Sequence, residues 1–228
     1  MQPLGILMLD TDFPRPPGDV GHAASWRMKV IFARVSGASV QNAVRGDANS
    51  LVDLFAEVGN RLADDGAAGL ITSCGFLAAL QRPLAAKLRI PLASSALLQL
   101  PLLTQTTTGR IGVITYDSEA LGPAHFLGVG ADPATPVVGL PKNGAFHAMI
   151  EGGAPYDALA LCQEAVDAAR QLQNSVPNLA IIVLECTNLP PFSAAIAHAT
   201  GLPVYDILTL GHWFHAGLVA ERVAGVGA

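Results

Sequence analysis

The 228-residue sequence is poor in charged residues and contains no apolar run long enough to cross a membrane. Charged residues make up 14% of the chain and hydrophobic residues 51%, which is typical of a compact protein with many buried strands. The longest apolar runs, such as 179–184, have the length of a strand, whereas a bilayer span needs roughly 20 residues. Because no charged leader precedes the apolar run at 4–9, we expect a cytoplasmic protein without a membrane partner.

Basic clusters and paired cysteines are also absent. The net charge of −5 and the pI near 5.6 disfavour a nucleic-acid partner, so a small-molecule ligand is expected. The three cysteines include no C-x-x-C pair, which argues against a zinc site and against a disulfide framework. The sequence therefore predicts no metal, and in a reducing compartment its thiols stay available for catalysis.

Short apolar runs alternate with segments of helical periodicity. The runs lie at 4–9, 28–35, 67–73, 90–94, 110–116, 136–140, 179–185 and 202–206. Leu51, Phe55 and Val58 recur at helical spacing between the second and third runs. Ser50 and Asp53 have the spacing of a capping box that would begin this helix. Because the runs are apolar throughout, they indicate parallel strands covered by helices on both faces, an α/β fold.

The two halves of the chain repeat one another. Cys74 ends one apolar run and Cys186 ends another, and a short strand with a proline follows each cysteine at the same distance. The repeat predicts two pseudo-symmetric lobes, each a mainly parallel sheet flanked by helices, with an active-site cleft between them. The first lobe comprises 1–98 and is completed by a C-terminal helix at 207–228, and the second comprises 99–206.

The equivalent thiols suggest acid and base chemistry. Ligands of open parallel sheets bind at the carboxyl ends of the strands, so the turn-rich loops at 11–25 and 139–155 are also expected there. A helix that begins after each cysteine should lower the pKa of the thiol from about 8.5. One thiolate could then remove a proton from a carbon acid, and the opposite thiol could return one. Polar neighbours are candidates for holding a substrate carboxylate: Thr72, Ser73, Thr187 and Asn188.

These residues resemble the aspartate/glutamate racemase superfamily. The resemblance lies in the segments 72–76 and 185–190 and in the acidic Asp10 that closes the first strand. The superfamily includes cofactor-independent amino-acid and hydantoin racemases, maleate isomerases and arylmalonate decarboxylases. It implies that Cys74 and Cys186 are the two bases and that no cofactor is needed. It also implies that a small carboxylate substrate is held near Asp10, Thr11 and Thr187, and that a homodimer or a higher homo-oligomer can form.

Three residues depart from the superfamily pattern. Gly75-Phe76 stands where racemases of aspartate and glutamate commonly have Asn-Thr, which leaves Gly75 as a substrate-facing position without a side chain. Asn188 stands where glutamate racemases usually have a histidine. The predicted function is a cofactor-independent racemase or epimerase that inverts the α-carbon of an amino acid, a hydantoin or a related small acid. A maleate-type isomerase with one nucleophilic thiol and an inactive binding module are the alternatives.

Several side chains allow two interpretations. Asp10 either faces the ligand or caps the next turn. Thr115 either lines the cleft or simply ends its strand. Glu185 precedes Cys186 on a strand, so alternation places its side chain on the opposite sheet face, where a structural hydrogen bond or ion pair is expected. Cys162 lies on the apolar stripe of a helix at 156–173 and is expected to pack in the core.

Overall fold

The computed structural model describes residues 1–219 and contains two parallel β-sheets. The strands are β1 (Leu4–Met8), β2 (Val30–Arg34), β3 (Gly69–Thr72), β4 (Leu92–Ala93), β5 (Arg110–Thr115), β6 (Val137–Gly139), β7 (Leu179–Leu184) and β8 (Val204–Tyr205). The first sheet has the order β2-β1-β3-β4 and the second has the order β6-β5-β7-β8. The same order in both halves confirms the predicted α/β fold of two repeated lobes.

Helices connect the strands, because a parallel pair requires a crossover. They are α1 (Val40–Val44), α2 (Val52–Asp64), α3 (Gln81–Lys87), α4 (Leu100–Leu103), α5 (Pro123–Gly128), α6 (Ala145–Ile150), α7 (Ala158–Ser175), α8 (Ser193–Thr200) and α9 (Ile207–Leu218). Short 3₁₀ segments lie at Ala23–Ser25, Ala48–Leu51, Gly75–Leu80, Ala96–Gln99 and Pro190–Phe192. Within residues 1–219, no helix combines the length and apolar character needed to cross a membrane.

The central strands carry the core. All four residues of β3 are buried, and so are the last four residues of β7. Helices cover both faces of these strands, which explains why their sequences are apolar throughout rather than alternating. The partly buried Cys162 of α7 packs against the same core. The buried core thus holds β3 and β7 in place, and Cys74 and Cys186 follow the carboxyl ends of these two strands.

The start of α2 differs from the prediction. The side chain of Asp47 accepts a hydrogen bond from the amide of Asn49 and begins a 3₁₀ turn over Ala48–Leu51. The hydroxyl of Ser50 donates to the carbonyl of Asp47, so it does not cap α2. The predicted capping box of Ser50 and Asp53 is wrong, because Asp47 already starts the turn that leads into the helix.

Helix α9 returns to the first sheet after the second lobe is complete. It begins with a capping box formed by Asp206 and Thr209. Ile207 and Leu210 of α9 pack with Leu4 and Ile71 of the first sheet in a buried cluster. The remainder of the helix predicted at 207–228 lies from 220 onwards outside the described residues.

Candidate active site

A small cavity lies where the carboxyl ends of the two sheets meet. Cys74 follows β3, Cys186 follows β7, and both thiols line this cavity and are buried. Its volume is about 30 Å³, which is room for little more than one water molecule. The lining residues are Leu9, Phe13, Arg15, Val40, Val44, Ser73, Cys74, Gly75 and Phe76 from the first half, and Tyr116, Ile150, Glu185, Cys186, Thr187 and Asn188 from the second. Each half of the chain thus contributes one thiol to one cavity.

Hydrogen bonds join the two lobes beside the thiols. The hydroxyl of Thr187 donates to the carbonyl of Ser73 at 2.7 Å. The hydroxyl of Ser73 in turn accepts from the amide of Leu9 at 2.8 Å. On the other side of the cavity, the amide group of Asn188 donates to Asp19 at 2.7 Å. Three residues singled out from the sequence therefore lie at the cavity, and each has a bond that fixes its position.

Burial dominates the electrostatics of both thiols. Burial and the nearby carboxyl of Glu185 raise the pKa of Cys74 to about 12, although the amides of Phe76 and Leu77 act in the opposite direction. The same two causes raise the pKa of Cys186, against the amide of Asn188. The expectation that helix termini would lower these pKa values is wrong. The amides are present, but desolvation of the sulfur outweighs them.

Glu185 is a buried carboxyl group at the same cavity. Its Oε2 accepts a hydrogen bond from the hydroxyl of Thr115 at 2.6 Å, whereas its Oε1 has no partner among the described residues. Burial raises the pKa of Glu185 to about 7, opposed by the bonds from Thr115 and the amide of Tyr116. The hydrogen bond from Thr115 is the structural bond that the sequence predicts for Glu185. Glu185 also lines the cavity with Cys186, because β7 ends at Leu184 and the strict alternation of side chains ends with it.

Gly75 is packed directly against this carboxyl group. A Cβ atom at Gly75 would collide with both the carbonyl oxygen and the Oε1 atom of Glu185. Glycine therefore permits a close approach between the lobes next to Cys74. The departure from the Asn-Thr pair of related racemases has a steric reason here, because there is no space for a side chain at position 75.

The remaining cavity wall is apolar, includes three aromatic residues and contains one cation. Phe13, Phe76 and Tyr116 present rings to the cavity. Arg15 forms an ion pair with Asp19 at 3.0 Å, and its guanidinium lies 4.5 Å from the centre of the Phe13 ring. Sequence reasoning missed Phe13 and Arg15, although both belong to the turn-rich loop expected to bind ligands. No periodicity distinguishes these two residues from their neighbours in that loop.

Four other residues named from the sequence lie outside the cavity lining. Asp10 forms an exposed ion pair with Arg34 and accepts from the amide of Gly37. The hydroxyl of Thr11 accepts from Arg15, which is itself at the cavity. Thr72 donates to the carbonyl of Ser94 at 2.6 Å, and Thr115 bonds to Glu185. Thr11 and Thr115 thus do not line the cavity themselves, but each is hydrogen-bonded to a residue that does, Arg15 and Glu185 respectively.

Helix α1 forms a roof over the thiols. Val40 and Val44 of α1 and Ile150 at the end of α6 close the cavity. Arg45 follows α1 and reaches across to the second lobe, where it pairs with Asp117 at 3.0 Å and with Glu151 at 3.2 Å. One arginine therefore holds the roof to the opposite lobe.

Known proteins resemble this chain in sequence. No protein-family model matches it. A dimethylsulfoniopropionate lyase of Durusdinium sp. clade D is 32% identical over 226 residues, which cover 95% of this chain and 75% of that protein. The chain belongs to the dimethylsulfoniopropionate lyase family. Dimethylsulfoniopropionate lyase 6 of Emiliania huxleyi is 30% identical over 238 residues, and the match covers 98% of this chain and 61% of that protein.

More distant proteins of known structure share the fold of this chain. Unliganded arylmalonate decarboxylase matches 99% of this chain and 96% of its own with a TM-score of 0.62 at 16% identity. Glutamate racemase from Francisella tularensis in complex with D-glutamate matches 97% of this chain and 84% of its own with a TM-score of 0.57 at 16% identity. The fold is that of the aspartate/glutamate racemase superfamily, which confirms the predicted resemblance.

Membership in the dimethylsulfoniopropionate lyase family supports an enzyme, but the predicted isomerase class is not confirmed. The sequence relatives are named as lyases, and the structural neighbours include racemases and a decarboxylase. The superfamily fold thus serves reactions of more than one class.

Proposed function

We propose that this protein is a lyase that releases dimethyl sulfide from dimethylsulfoniopropionate and leaves acrylate. The observation that carries the proposal is one buried cavity with two thiols, in a chain 32% identical over 95% of its length to a dimethylsulfoniopropionate lyase. The substrate is a small carboxylate, as the sequence predicts, but the reaction differs from inversion.

The proposed elimination needs one base. A thiolate removes a proton from the carbon next to the substrate carboxylate. The electron pair of that C–H bond forms the double bond of acrylate, while the bond to the sulfonium breaks and its electrons leave with the sulfur. Dimethyl sulfide departs as a neutral molecule, and the substrate proton remains on the thiol.

The cavity wall suits both ends of this substrate. A sulfonium cation is attracted to aromatic faces, which Phe13, Phe76 and Tyr116 supply. Arg15 can pair with the carboxylate, because a guanidinium matches the geometry of a carboxylate. The cavity is smaller than the substrate, so it has to widen when the substrate enters.

The test is dimethyl sulfide release by the purified protein, measured by gas chromatography with acrylate as the second product. Because elimination needs one base, Cys74→Ser and Cys186→Ser should have unequal effects. One should lose about 100-fold or more in kcat, within the range of general base catalysis, and the other should lose less. Cys162→Ser is the control and should keep wild-type turnover. Wild-type protein that releases no dimethyl sulfide would refute the proposal.

Racemisation is the second candidate, and the presence of two thiols in one cavity favours it. Inversion requires one acid and one base on opposite faces of the substrate, so both cysteine variants should abolish it. Amino acids and hydantoins incubated in deuterated water would reveal it by α-deuterium in the inverted product. Deuterium incorporation without dimethyl sulfide release would replace the lyase proposal with the racemase.

A further inference from the structure

We propose that Glu185 accepts the proton of the base thiol through its free oxygen Oε1 and passes it on to solvent once in each turnover. The inference rests on the proposed elimination, because that reaction leaves a proton on the thiol after every cycle. Glu185 acts on the thiol, whose proton it accepts, and it does not contact the substrate.

The geometry singles out Glu185 for this role. Among the described lining residues it is the one carboxyl group. Its side chain is fully buried, and Oε2 is fixed by the hydroxyl of Thr115. Oε1 is free and lies against the bare Cα of Gly75, the residue next to Cys74. The charge of its carboxyl raises the pKa of both Cys74 and Cys186, which indicates that it lies near both sulfurs.

The proton balance requires such a group. Elimination transfers a proton from carbon to sulfur and releases neutral dimethyl sulfide, so the thiol must lose a proton before the next cycle. In that step the S–H bond breaks and an O–H bond forms at Oε1, directly or through one water. The acid then releases the proton to solvent and becomes a carboxylate again. Racemisation releases no net proton to solvent, because one proton is taken from the substrate and another is returned.

The charges around Glu185 fit a proton acceptor. The titratable groups that line the same cavity are Cys74, Cys186, Tyr116 and Arg15. The hydroxyl of Tyr116 donates to Glu151 at 2.8 Å, and Arg15 is paired with Asp19. Burial raises the pKa of Glu185 to about 7, so at pH 7.5 most of this carboxyl group is ionised and able to accept a proton.

The experiment compares Glu185→Gln with wild-type enzyme. The amide keeps the size of the side chain and can still accept from Thr115, but it cannot accept the proton. We expect kcat for dimethyl sulfide release at pH 7.5 to fall about 100-fold. The wild-type profile of kcat should level off above an inflection near pH 7. The variant should lack this inflection and keep rising above about pH 9, as the thiol begins to ionise by itself.

Controls separate this role from a structural one. Glu57→Gln makes the same chemical change on the exposed face of α2 and should leave kcat and its pH profile unchanged. Glu185→Asp retains a carboxyl group and should recover the inflection, even if kcat recovers only in part. A Glu185→Gln enzyme with kcat within threefold of wild type and an unchanged profile would overturn the proposal. So would a Glu185→Asp enzyme without the inflection.

A substrate-free measurement keeps this proposal separate from the lyase assignment. The reagent methyl methanethiosulfonate modifies thiolates, and mass spectrometry reports each cysteine. Glu185→Gln removes a negative charge beside both sulfurs, so Cys74 and Cys186 should react several-fold faster at pH 8, with Cys162 unchanged. Unchanged rates at both sulfurs would overturn the coupling of Glu185 to the thiols. If the cysteines of Glu185→Gln react faster but the wild-type protein releases no dimethyl sulfide, the coupling of Glu185 to the thiols stands and only the proposed lyase activity is refuted.

Discussion

Gly75 is the residue at which the site has least space. A methyl group there meets the carbonyl oxygen and the Oε1 atom of Glu185. We expect Gly75→Ala to lower the free energy of unfolding by about 1–3 kcal/mol, the usual effect of overpacking, and to reduce activity because Cys74 shifts with it. Chemical denaturation and dimethyl sulfide release measure the two effects. Gly122→Ala is the matched control, since a Cβ at Gly122 has nothing within 4 Å. Equal stability of both variants would contradict the close packing at Gly75.

Glu185 makes stability depend on pH. Its folded pKa of about 7 lies above its ordinary value of 4.5. The unfolded chain therefore ionises first as pH rises, and the protein loses stability between about pH 4.5 and pH 7. Glu185→Gln does not titrate, so the variant should gain on the order of 3 kcal/mol relative to wild type across this interval. Urea denaturation at pH 5 and pH 8 measures the difference. A stability difference that is independent of pH would show that Glu185 is ionised in both states.

At the residue scale, sequence predicted the thiols better than their surroundings. The repeat identifies Cys74 and Cys186 because equivalent strand ends lie together in two similar lobes. Their raised pKa values could not be foreseen, because burial depends on the roof and on the opposite lobe. Arg15 was missed for a similar reason. Its position depends on the ion pair with Asp19 within an irregular loop.

At the scale of secondary structure elements, a substitution can test whether the ion pairs of Arg45 fix α1 to the second lobe. The side chain of Asp117 is buried, and that of Arg45 is half-buried. We expect Arg45→Gln to lower the free energy of unfolding by about 1–2 kcal/mol at pH 7, between the values of exposed and buried ion pairs. Amide hydrogen exchange at 40–44 should become faster, because the roof is no longer held to the second lobe. Arg61→Gln is the control. It breaks an exposed pair on α2 and should cost less than about 1 kcal/mol.

The effect of Arg45→Gln should vanish in acid. Burial acts to raise the pKa of Asp117, but the bonds from Arg45 and the amides of Glu119 and Ala120 lower it below its ordinary value of 3.8. A lowered folded pKa stabilises the protein above that value and ceases to do so as pH falls through the folded pKa. The difference between the two proteins should therefore shrink as pH falls from 3.8 through the lowered folded pKa of Asp117. A difference that stays constant throughout the acid range would mean that the ion pair is not its source.

The long elements were predictable, and the short ones were not. Short apolar runs identified the eight strands of residues 1–219, and the central strands β3 and β7 are the most deeply buried. The periodicity at 51–62 likewise predicted α2. The roof α1 has five residues, too few for a periodic pattern. The loop predicted at 139–155 contains α6, whose residues Ala145–Ile150 form a helix without a strong start signal. The site is closed by these two short helices, so its shape could not be read from the sequence.

At the scale of the whole molecule, duplication explains why there is one site and two thiols. Each lobe repeats the same strand order and has a cysteine shortly after its third strand. The lobes meet at these ends, joined by Thr187 and Ser73, by Asn188 and Asp19, and by Arg45. The fold and the paired thiols follow from the repeat, whereas the reaction does not. Inversion and elimination begin with the same proton removal, and the aromatic residues of the cavity come together only in the folded chain.

The most direct test of the shared site is protection of the thiols by substrate. Purified protein is treated with methyl methanethiosulfonate with and without saturating dimethylsulfoniopropionate, and the modification of each cysteine is followed by mass spectrometry. Cys162 is partly exposed on α7 and serves as the internal control. If both halves form one substrate cavity, the substrate should slow modification of Cys74 and Cys186 together and leave Cys162 unchanged. Protection of only one of the two cavity thiols, or of none while dimethyl sulfide is being released, would contradict this account.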